Sequence, residues 1–269
     1  MMAVPVHRER AIYMPSIKAV AVADIHMGME YEFSINGANI PSQTESLVRR
    51  CRDICAEKNA ETMLIVGDLK HTIAPPPAGS SREYEIAIRK ERDDVKVFIE
   101  ELADVVEMVL VKGNHDGGLG TGRKMKVYDS GGGLFGNIGF VHGHAWPSEE
   151  VMGAELLVMG HVHPAVRMRD RLGYGISRPC WVRAPLNGNA LHERYENANA
   201  GMEVIIMPAF NPLCGGMAVN TEGIMGPMKK LIDLENASAY LLDGTNLGKV
   251  GGPSIAGKNF YPDLHLPLD

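Results

Sequence analysis

The stretch IKAVAVADIHMG, residues 17–28, decides the fold of this 269-residue chain. Its first part is rich in Ala and Val, as expected of a buried strand, and the polar Asp24 and His26 follow where that strand would end. Four further apolar runs end in polar phrases in the same way: TMLIV before VGDL (66–69), VEMVLVK before GNHD (113–116), NIGF before VHGH (141–144) and ELLVM before GHVHP (160–164). These phrases predict a functional site where the strands end.

The side chains in these phrases have the chemistry of metal ligands. Imidazole, carboxylate and amide oxygen make a mixed nitrogen and oxygen set that suits Mn, Fe, Co, Ni or Zn, and a carboxylate can bridge two cations. A thiolate-bound structural zinc is not indicated. Residues i and i+2 of a strand share a face, so Asp24 with His26, His142 with His144, and His161 with His163 can each converge. The candidate ligands are Asp24, His26, Asp68, Asn114, His142, His161 and His163.

Each phrase, taken alone, also has an explanation that involves no metal. A single Asp-x-His or Gly-Asp occurs by chance in many proteins, and a lone buried His is more often a hydrogen-bonded core residue than a ligand. Gly-Asn-His-Asp is more specific, because it places an amide, an imidazole and a carboxylate directly after a predicted strand. All five phrases in order favour the metal site.

The motif order Asp-x-His, Gly-Asp, Gly-Asn-His-Asp, His and Gly-His-x-His resembles that of the calcineurin-like metallophosphoesterases, over roughly residues 17–164. Within that superfamily the motifs are most similar to small prokaryotic phosphoesterases related to the repair nuclease SbcD. The resemblance implies a mixed α/β fold in which two sheets form a β-sandwich flanked by helices. It also implies an enzyme, a hydrolase that acts on phosphate esters with a dinuclear metal centre.

The resemblance implies specific roles for the motif residues. One metal would be held by Asp24, His26, Asp68 and His163. A second would be held by Asp68, Asn114, His142 and His161, so that Asp68 is the bridge. The expected cofactors are two divalent cations, with Mn²⁺ preferred and Fe, Ni, Co or Zn as alternatives. His115 would contact the phosphate and protonate the leaving oxygen without binding metal.

Two cations held in this way can lower the pKa of a shared water and polarise phosphoryl oxygens. The expected reaction is attack of the resulting hydroxide on a phosphate ester while His115 acts as general acid. Asp116, the second candidate catalytic residue, either orients that imidazole or caps the following loop, and the cap is slightly favoured. The candidate substrate contacts are Asn114, His115 and Arg123. The alternative interpretation of Arg123 is an ordinary charged residue on the surface.

The expected partner is a phosphate-ester substrate, and the preferred function is a phosphodiesterase acting on nucleotides or short nucleic acid. The alternatives are a phosphomonoesterase for a small metabolite and a non-catalytic scaffold of the same fold. A net charge of −6 and a pI near 5.9 do not indicate a protein that grips long nucleic acid. Neither a Gly-x-Ser-x-Gly elbow nor a P-loop motif is found in the sequence.

The composition predicts one domain, residues 1–269, because 45% hydrophobic residues can form a large core at this length. No run reaches the ~20 apolar residues of a membrane span, and the N-terminal MMAVPVHRERAIYMPS lacks a signal-like apolar segment. The expected location is therefore the cytoplasm, with no membrane partner. The sequence leaves the oligomeric state open.

The four cysteines, predicted to be buried free thiols, are Cys51, Cys55, Cys180 and Cys214.

Capping patterns predict two helices and a strand-rich second half. Ser42 with Glu45 predicts a helix over about residues 43–58, and Ser80 with Glu83 predicts another after the proline-rich break. After GHVHP, short alternating runs predict hairpins that complete a second sheet. These runs are AVRMR, YGIS, CWVRA, MEVIIMPAF, GMAVN and ASAYLLD.

Overall fold

The computed structural model describes residues 2–74, 79–169 and 175–252. Within these ranges two sheets pack face to face, and helices cover their outer faces. The predicted two-sheet sandwich with flanking helices is confirmed. The prediction of a single domain over residues 1–269 stays a prediction, since residues 253–269 lie outside the described ranges. No described helix is both long enough and apolar enough to cross a bilayer.

The first sheet provides three parallel strand ends to the site. Its strands are β1 (Val4–Pro5), β2 (Ala11–Met14), β3 (Ala19–Val22), β4 (Thr62–Val66), β5 (Glu107–Val111) and β6 (Lys126–Tyr128). They lie in the order β1-β2-β3-β4-β5-β6, antiparallel from β1 to β3 and parallel from β3 to β6. The carboxyl ends of β3, β4 and β5 therefore meet at one edge, where ADIHMG, VGDL and GNHD follow.

The second sheet provides two more strand ends. Its strands are β7 (Gly133–Phe135), β8 (Ile138–Val141), β9 (Leu156–Met159), β10 (Pro164–Arg169), β11 (Gly175–Pro185), β12 (Glu203–Ile206), β13 (Met217–Ala218), β14 (Ser238–Leu241) and β15 (Asn246–Lys249). They lie in the order β13-β10-β11-β12-β9-β8-β7, with β14 paired to β11 and β15. Strands β8, β9 and β12 are parallel, so the HGH and GHVH phrases leave adjacent strands at one edge.

The helices are α1 (Met29–Ile35), α2 (Thr44–Lys58), α3 (Arg82–Ala103), α4 (Glu149–Met152) and α5 (Gly188–His192). Both predicted long helices are present, but their caps differ from the prediction. Helix α2 begins after Gln43, which makes no side-chain cap, while the Ser42 hydroxyl accepts from the Thr44 amide at 3.3 Å. Helix α3 is capped by Ser81, whose hydroxyl accepts from the Tyr84 amide at 3.3 Å. The described part of the predicted strand YGIS, Gly175–Ser177, forms one continuous strand with CWVRA, β11, and Tyr174 lies outside the described residues.

The alternation of side chains along the strands builds three apolar layers. In β3, Ala19 and Ala21 face the other sheet, whereas Val20 and Val22 face the helices. Phe140 and Trp181 fill the space between the sheets, and Phe98 of α3 packs on the outer face of the first sheet. Each sheet is thus buried on both faces, which holds its strand ends rigidly.

We expect Phe140→Ala to lower the free energy of unfolding by about 3–5 kcal/mol, because it opens a cavity between the sheets at a fully buried position. Chemical denaturation followed by circular dichroism measures the change. The matched control is Val97→Ala on the exposed face of α3, which should change stability by less than about 0.5 kcal/mol. Similar small losses for both variants would contradict the sandwich core described here.

Candidate metal centre

The backbone turns sharply where the polar phrases leave the strands. Eight non-glycine residues among those described have a positive φ, and five of them are candidate ligands. Their φ values lie between 45° and 69°, in the left-handed region that costs roughly 1–2 kcal/mol per residue. These five are Asp24, His26, Asp68, His161 and His163. The pairs Asp24/His26 and His161/His163 therefore converge through left-handed turns after the strands, which corrects the expectation that the strand pleat aligns them.

The first group of converging atoms lies between the ends of β3 and β9. The Nε2 atom of His163 is 3.2 Å from Oδ1 of Asp24. It is also 3.4 Å from Nε2 of His26, and that nitrogen lies 3.7 Å from Oδ2 of Asp68. Two ligands bound to one cation by bonds of 2.0–2.2 Å are separated by about 2.8–3.6 Å. The separations among Asp24, His26 and His163 fit one shared cation. The Asp68 oxygen, 3.7 Å from His26, lies just beyond this range.

The second group surrounds His142. Its Nε2 atom lies 3.1 Å from Oδ2 of Asp68, 3.2 Å from Oδ1 of Asn114 and 3.2 Å from Nδ1 of His161. The same oxygen of Asp68 faces both groups. The structure thus brings all seven predicted ligands together, in two groups that share one carboxylate. A pair of divalent cations fits this donor set, and Asp68 would then be the residue shared by both.

Two carboxylates are buried at the centre of the site. Burial opposes ionisation of Asp68, but the hydrogen bond and charge of His142 outweigh it and hold the pKa of Asp68 below its usual range. Burial also raises the pKa of Asp24. The charge of His163 and its hydrogen bond to Asp24 lower that pKa by more, so the net shift is downward. Both carboxylates are therefore in the ionised form that a metal requires.

The imidazoles divide into two kinds. Burial lowers the pKa of His26 to about 3, and burial together with the charge of His142 lowers the pKa of His161 to about 4. Burial also acts to lower the pKa of His142, but the Asp68 hydrogen bond and the charge of Asp24 raise it to about 9. His26 and His161 thus offer neutral nitrogen at neutral pH, while a cation must displace a proton from His142.

Outer hydrogen bonds orient the candidate ligands. Nδ1 of His142 donates to the Val66 carbonyl at 3.0 Å, which turns Nε2 towards Asp68. Nδ1 of His26 lies 3.4 Å from Nδ1 of His71, whose other ring nitrogen contacts a carboxylate oxygen of Glu32. The sequence analysis missed His71 as a site residue. Its position in VGDLKH was a weak signal, since one His after Gly-Asp has no specific spacing.

Two glycines are required because the motif loops approach each other closely. A Cβ at Gly113 would lie 2.1 Å from Oδ1 of Asp68 and 2.5 Å from its amide nitrogen. A Cβ at Gly67, where φ is 81°, would lie 2.1 Å from Nδ1 of His142. Glycine thus lets GNHD and VGDL lie against the ligands.

Asp116 is fully buried and accepts hydrogen bonds from the backbone of two loops. Its Oδ2 accepts from the amides of Asp68 and Gly113, both at 2.8 Å, and its Oδ1 accepts from the Leu69 amide at 2.9 Å. Burial raises the pKa of this carboxyl, and the Gly113 amide opposes the rise. Its hydrogen bonds favour the loop cap over a role in orienting the imidazole of His115.

His115 lies beside the two groups. Its amide donates to Oδ1 of Asp68 at 2.9 Å, and its Nε2 is 3.8 Å from Oδ2 of the same residue. The ring Nδ1 donates to the carbonyl of His71, which fixes the tautomer and directs Nε2 towards the cluster. This position suits an imidazole that contacts substrate.

The structure does not bring Arg123 or His144 into the ligand groups. Arg123 is exposed and lines a cavity of about 300 Å³ with Glu107, at the amino end of β5, whereas the candidate ligands follow the carboxyl end. Arg123 therefore lies apart from the candidate ligands, and its contact with substrate stays a prediction. The ring of His144 lies 5.2 Å from that of His142, yet it joins none of the possible metal groups among the described residues.

The chain is similar to known proteins of one family. The model of the calcineurin-like phosphoesterase family matches residues 17–179. No curated protein matches the sequence significantly. A solved structure of the nuclease MPE from Pseudomonas putida has a TM-score of 0.56 and 21% identity, covering 91% of this chain and 100% of that chain. The YfcE phosphoesterase of E. coli has a TM-score of 0.31 and 19% identity, covering 60% of this chain and 81% of that chain. The similarity to the MPE nuclease shows a shared fold.

We expect Asp68→Asn to reduce bound Mn²⁺ from two ions per chain to less than one, because the bridging oxygen loses its charge for both groups. Metal analysis after dialysis of the metal-loaded protein measures this. Asp53→Asn, at an exposed position of α2, is the matched control and should retain both ions. Full metal content in Asp68→Asn would refute the bridging assignment.

Proposed function

The chain belongs to the calcineurin-like phosphoesterase family, and from that premise we propose that it is a phosphodiesterase acting on nucleotides or short nucleic acid. The family makes the protein a metal-dependent hydrolase of phosphate esters. The observation that carries the finer proposal is the presence of two cavities, each adjoining the ligand cluster at different residues. A phosphodiester has two substituents on its phosphorus, whereas a monoester has one.

The larger cavity adjoins the cluster at His71 and His115 and has a volume of about 550 Å³. Tyr31, Tyr84 and Ile88 contribute aromatic and apolar surface to its walls. Aromatic side chains such as these two tyrosines stack on nucleobases with little dependence on sequence. This cavity therefore supports a nucleoside as one substituent of the substrate.

The smaller cavity, of about 280 Å³, adjoins the cluster at His163. Its lining includes Pro212 and the side chain of Arg10, whose guanidinium donates to the backbone carbonyls of Ala209 and Asn211. The second substituent of a diester has room here. Two such cavities favour the diesterase over the monoesterase, and the convergence of all seven candidate ligands disfavours the scaffold.

The residues of the site divide the expected chemistry between them. When bound, a pair of divalent cations supplies an activated water and neutralises charge on the phosphoryl oxygens. The nitrogen and oxygen donors suit Mn²⁺, the expected cation, and also Fe, Co, Ni and Zn. In its imidazolium form His115 would donate the proton on Nε2 to the departing oxygen, while its Nδ1–H stays bonded to the His71 carbonyl and keeps the ring in place. Asn114 would contact both a metal and the substrate, which is supported by its Oδ1 atom lying 3.2 Å from Nε2 of His142.

We expect the Mn²⁺-loaded protein to hydrolyse bis-p-nitrophenyl phosphate at least about tenfold faster than p-nitrophenyl phosphate, equivalent to about 1.4 kcal/mol in the barrier. A chelator should abolish both activities, and release of p-nitrophenol measures them. A preference for the monoester would favour the monoesterase for a small metabolite. Absence of turnover in protein that holds two cations would favour the scaffold.

We expect His115→Ala to retain both metal ions but to lose about 10²–10⁴-fold in kcat, because the leaving oxygen then departs without a positioned proton donor. The loss should be larger for diesters with alkoxide leaving groups than for p-nitrophenyl esters, which need little protonation. His192→Ala, at an exposed position of α5, is the control. An equal loss for both leaving groups would argue against the proton donor.

A further inference from the structure

One cysteine approaches the metal centre from a segment that contains none of the sequence motifs. This segment, residues 207–216, follows β12 and crosses the loop that carries Asp24. The Phe210 amide donates to the Ala23 carbonyl at 2.7 Å, and the buried Asn211 donates from Nδ2 to the Ile25 carbonyl at 2.9 Å. These bonds fix the segment against the first group of candidate ligands.

The same segment presents a thiol to the site. The amide of Cys214 donates to the Asn211 carbonyl at 3.2 Å, and its Sγ lies 3.8 Å from the carbonyl oxygen of Asp24. Ligand atoms of Cys214, His26 and His163 all lie within 4.8 Å of one another. A sulfur and a nitrogen that share one cation are about 3.1–3.6 Å apart, so binding of one cation by all three residues would draw these atoms together from within 4.8 Å.

The neighbouring residue supplies a second contact that points to a ligand position. Nδ1 of His163 donates to the carbonyl of Gly215 at 3.2 Å, which turns its Nε2 to face Nε2 of His26 at 3.4 Å. One turn of backbone thus orients a candidate ligand and places a sulfur atom beside it. The other three cysteines are Cys51, Cys55 and Cys180. Among the described residues, none of these three belongs to a possible metal-binding group.

We propose that Cys214 is a sulfur ligand of the cation held by His26 and His163. The proposal rests on the metal centre of the proposed function and adds a donor to it. On binding, the S–H bond breaks, the sulfur donates an electron pair to the cation, and the proton leaves to solvent. A thiolate at this position favours Zn²⁺, Co²⁺ or Fe²⁺ over Mn²⁺. The two metal positions therefore differ in selectivity, because the second group has only nitrogen and oxygen donors.

Cobalt loading tests the proposal by a spectroscopic signal that does not depend on activity. Thiolate ligands give Co²⁺ an intense charge-transfer band in the near ultraviolet, which nitrogen and oxygen ligands do not produce. We expect the band in the wild type and in Cys55→Ser, and its loss in Cys214→Ser, with two Co²⁺ ions per chain in all three. Cys214→Ser should also weaken Zn²⁺ binding by about tenfold or more, with little change for Mn²⁺.

The outcomes separate this inference from the proposed function. Two bound Co²⁺ ions without the band in the wild type, or a band that persists in Cys214→Ser, would overturn the sulfur ligand alone. Failure of the wild type to bind Co²⁺ would overturn the dinuclear centre as well. A test on the wild type needs no variant: Zn²⁺ should protect Cys214 from alkylation, measured by mass spectrometry, and equal alkylation with and without Zn²⁺ would overturn the inference.

Discussion

The burial of two carboxylates side by side, Asp24 and Asp68, is the constraint on which the rest of the site depends. Removing an unpaired carboxylate from water costs several kcal/mol, so each needs partners in the folded protein. The amide of His161 donates to Asp24 at 3.1–3.2 Å, and the amide of His115 donates to Asp68 at 2.9 Å. Imidazole nitrogens surround the remaining oxygens, an arrangement that divalent cations complete.

The two-sheet architecture makes this concentration of polar groups possible. Strands β3, β4 and β5 of one sheet and β8 and β9 of the other release their loops at neighbouring edges. The apolar layers behind these edges hold the strand ends, so the loops can keep left-handed turns that would otherwise relax. Asp116 adds to this rigidity, because its carboxylate ties VGDL to GNHD through backbone amides.

The surroundings of the cluster bear on selectivity for substrate and for metal. One cavity meets it at His115, the proposed proton donor, and another meets it at His163 and Cys214. Under the two proposals, substrate recognition and metal recognition share a boundary on the His163 side. If Cys214 binds a cation, the wall of the smaller cavity is also part of the metal centre, which links the occupant of that cavity to the metal present.

The sequence by itself determined the strands that end in polar phrases, the chemical types of the seven candidate ligands and, through the family resemblance, the two-sheet fold. It did so because these features are local, or are carried by motifs in a constant order. The left-handed turns, the hydrogen bonds of Asp116, the distant location of Arg123 and the approach of Cys214 and His71 were decided only by the tertiary structure. Each depends on contacts between segments far apart in the chain: Cys214 lies 3.8 Å from the carbonyl of Asp24 because β12 pairs with β9 and the following backbone crosses the loop after β3. A local sequence pattern does not predict which distant segments a sheet will bring together.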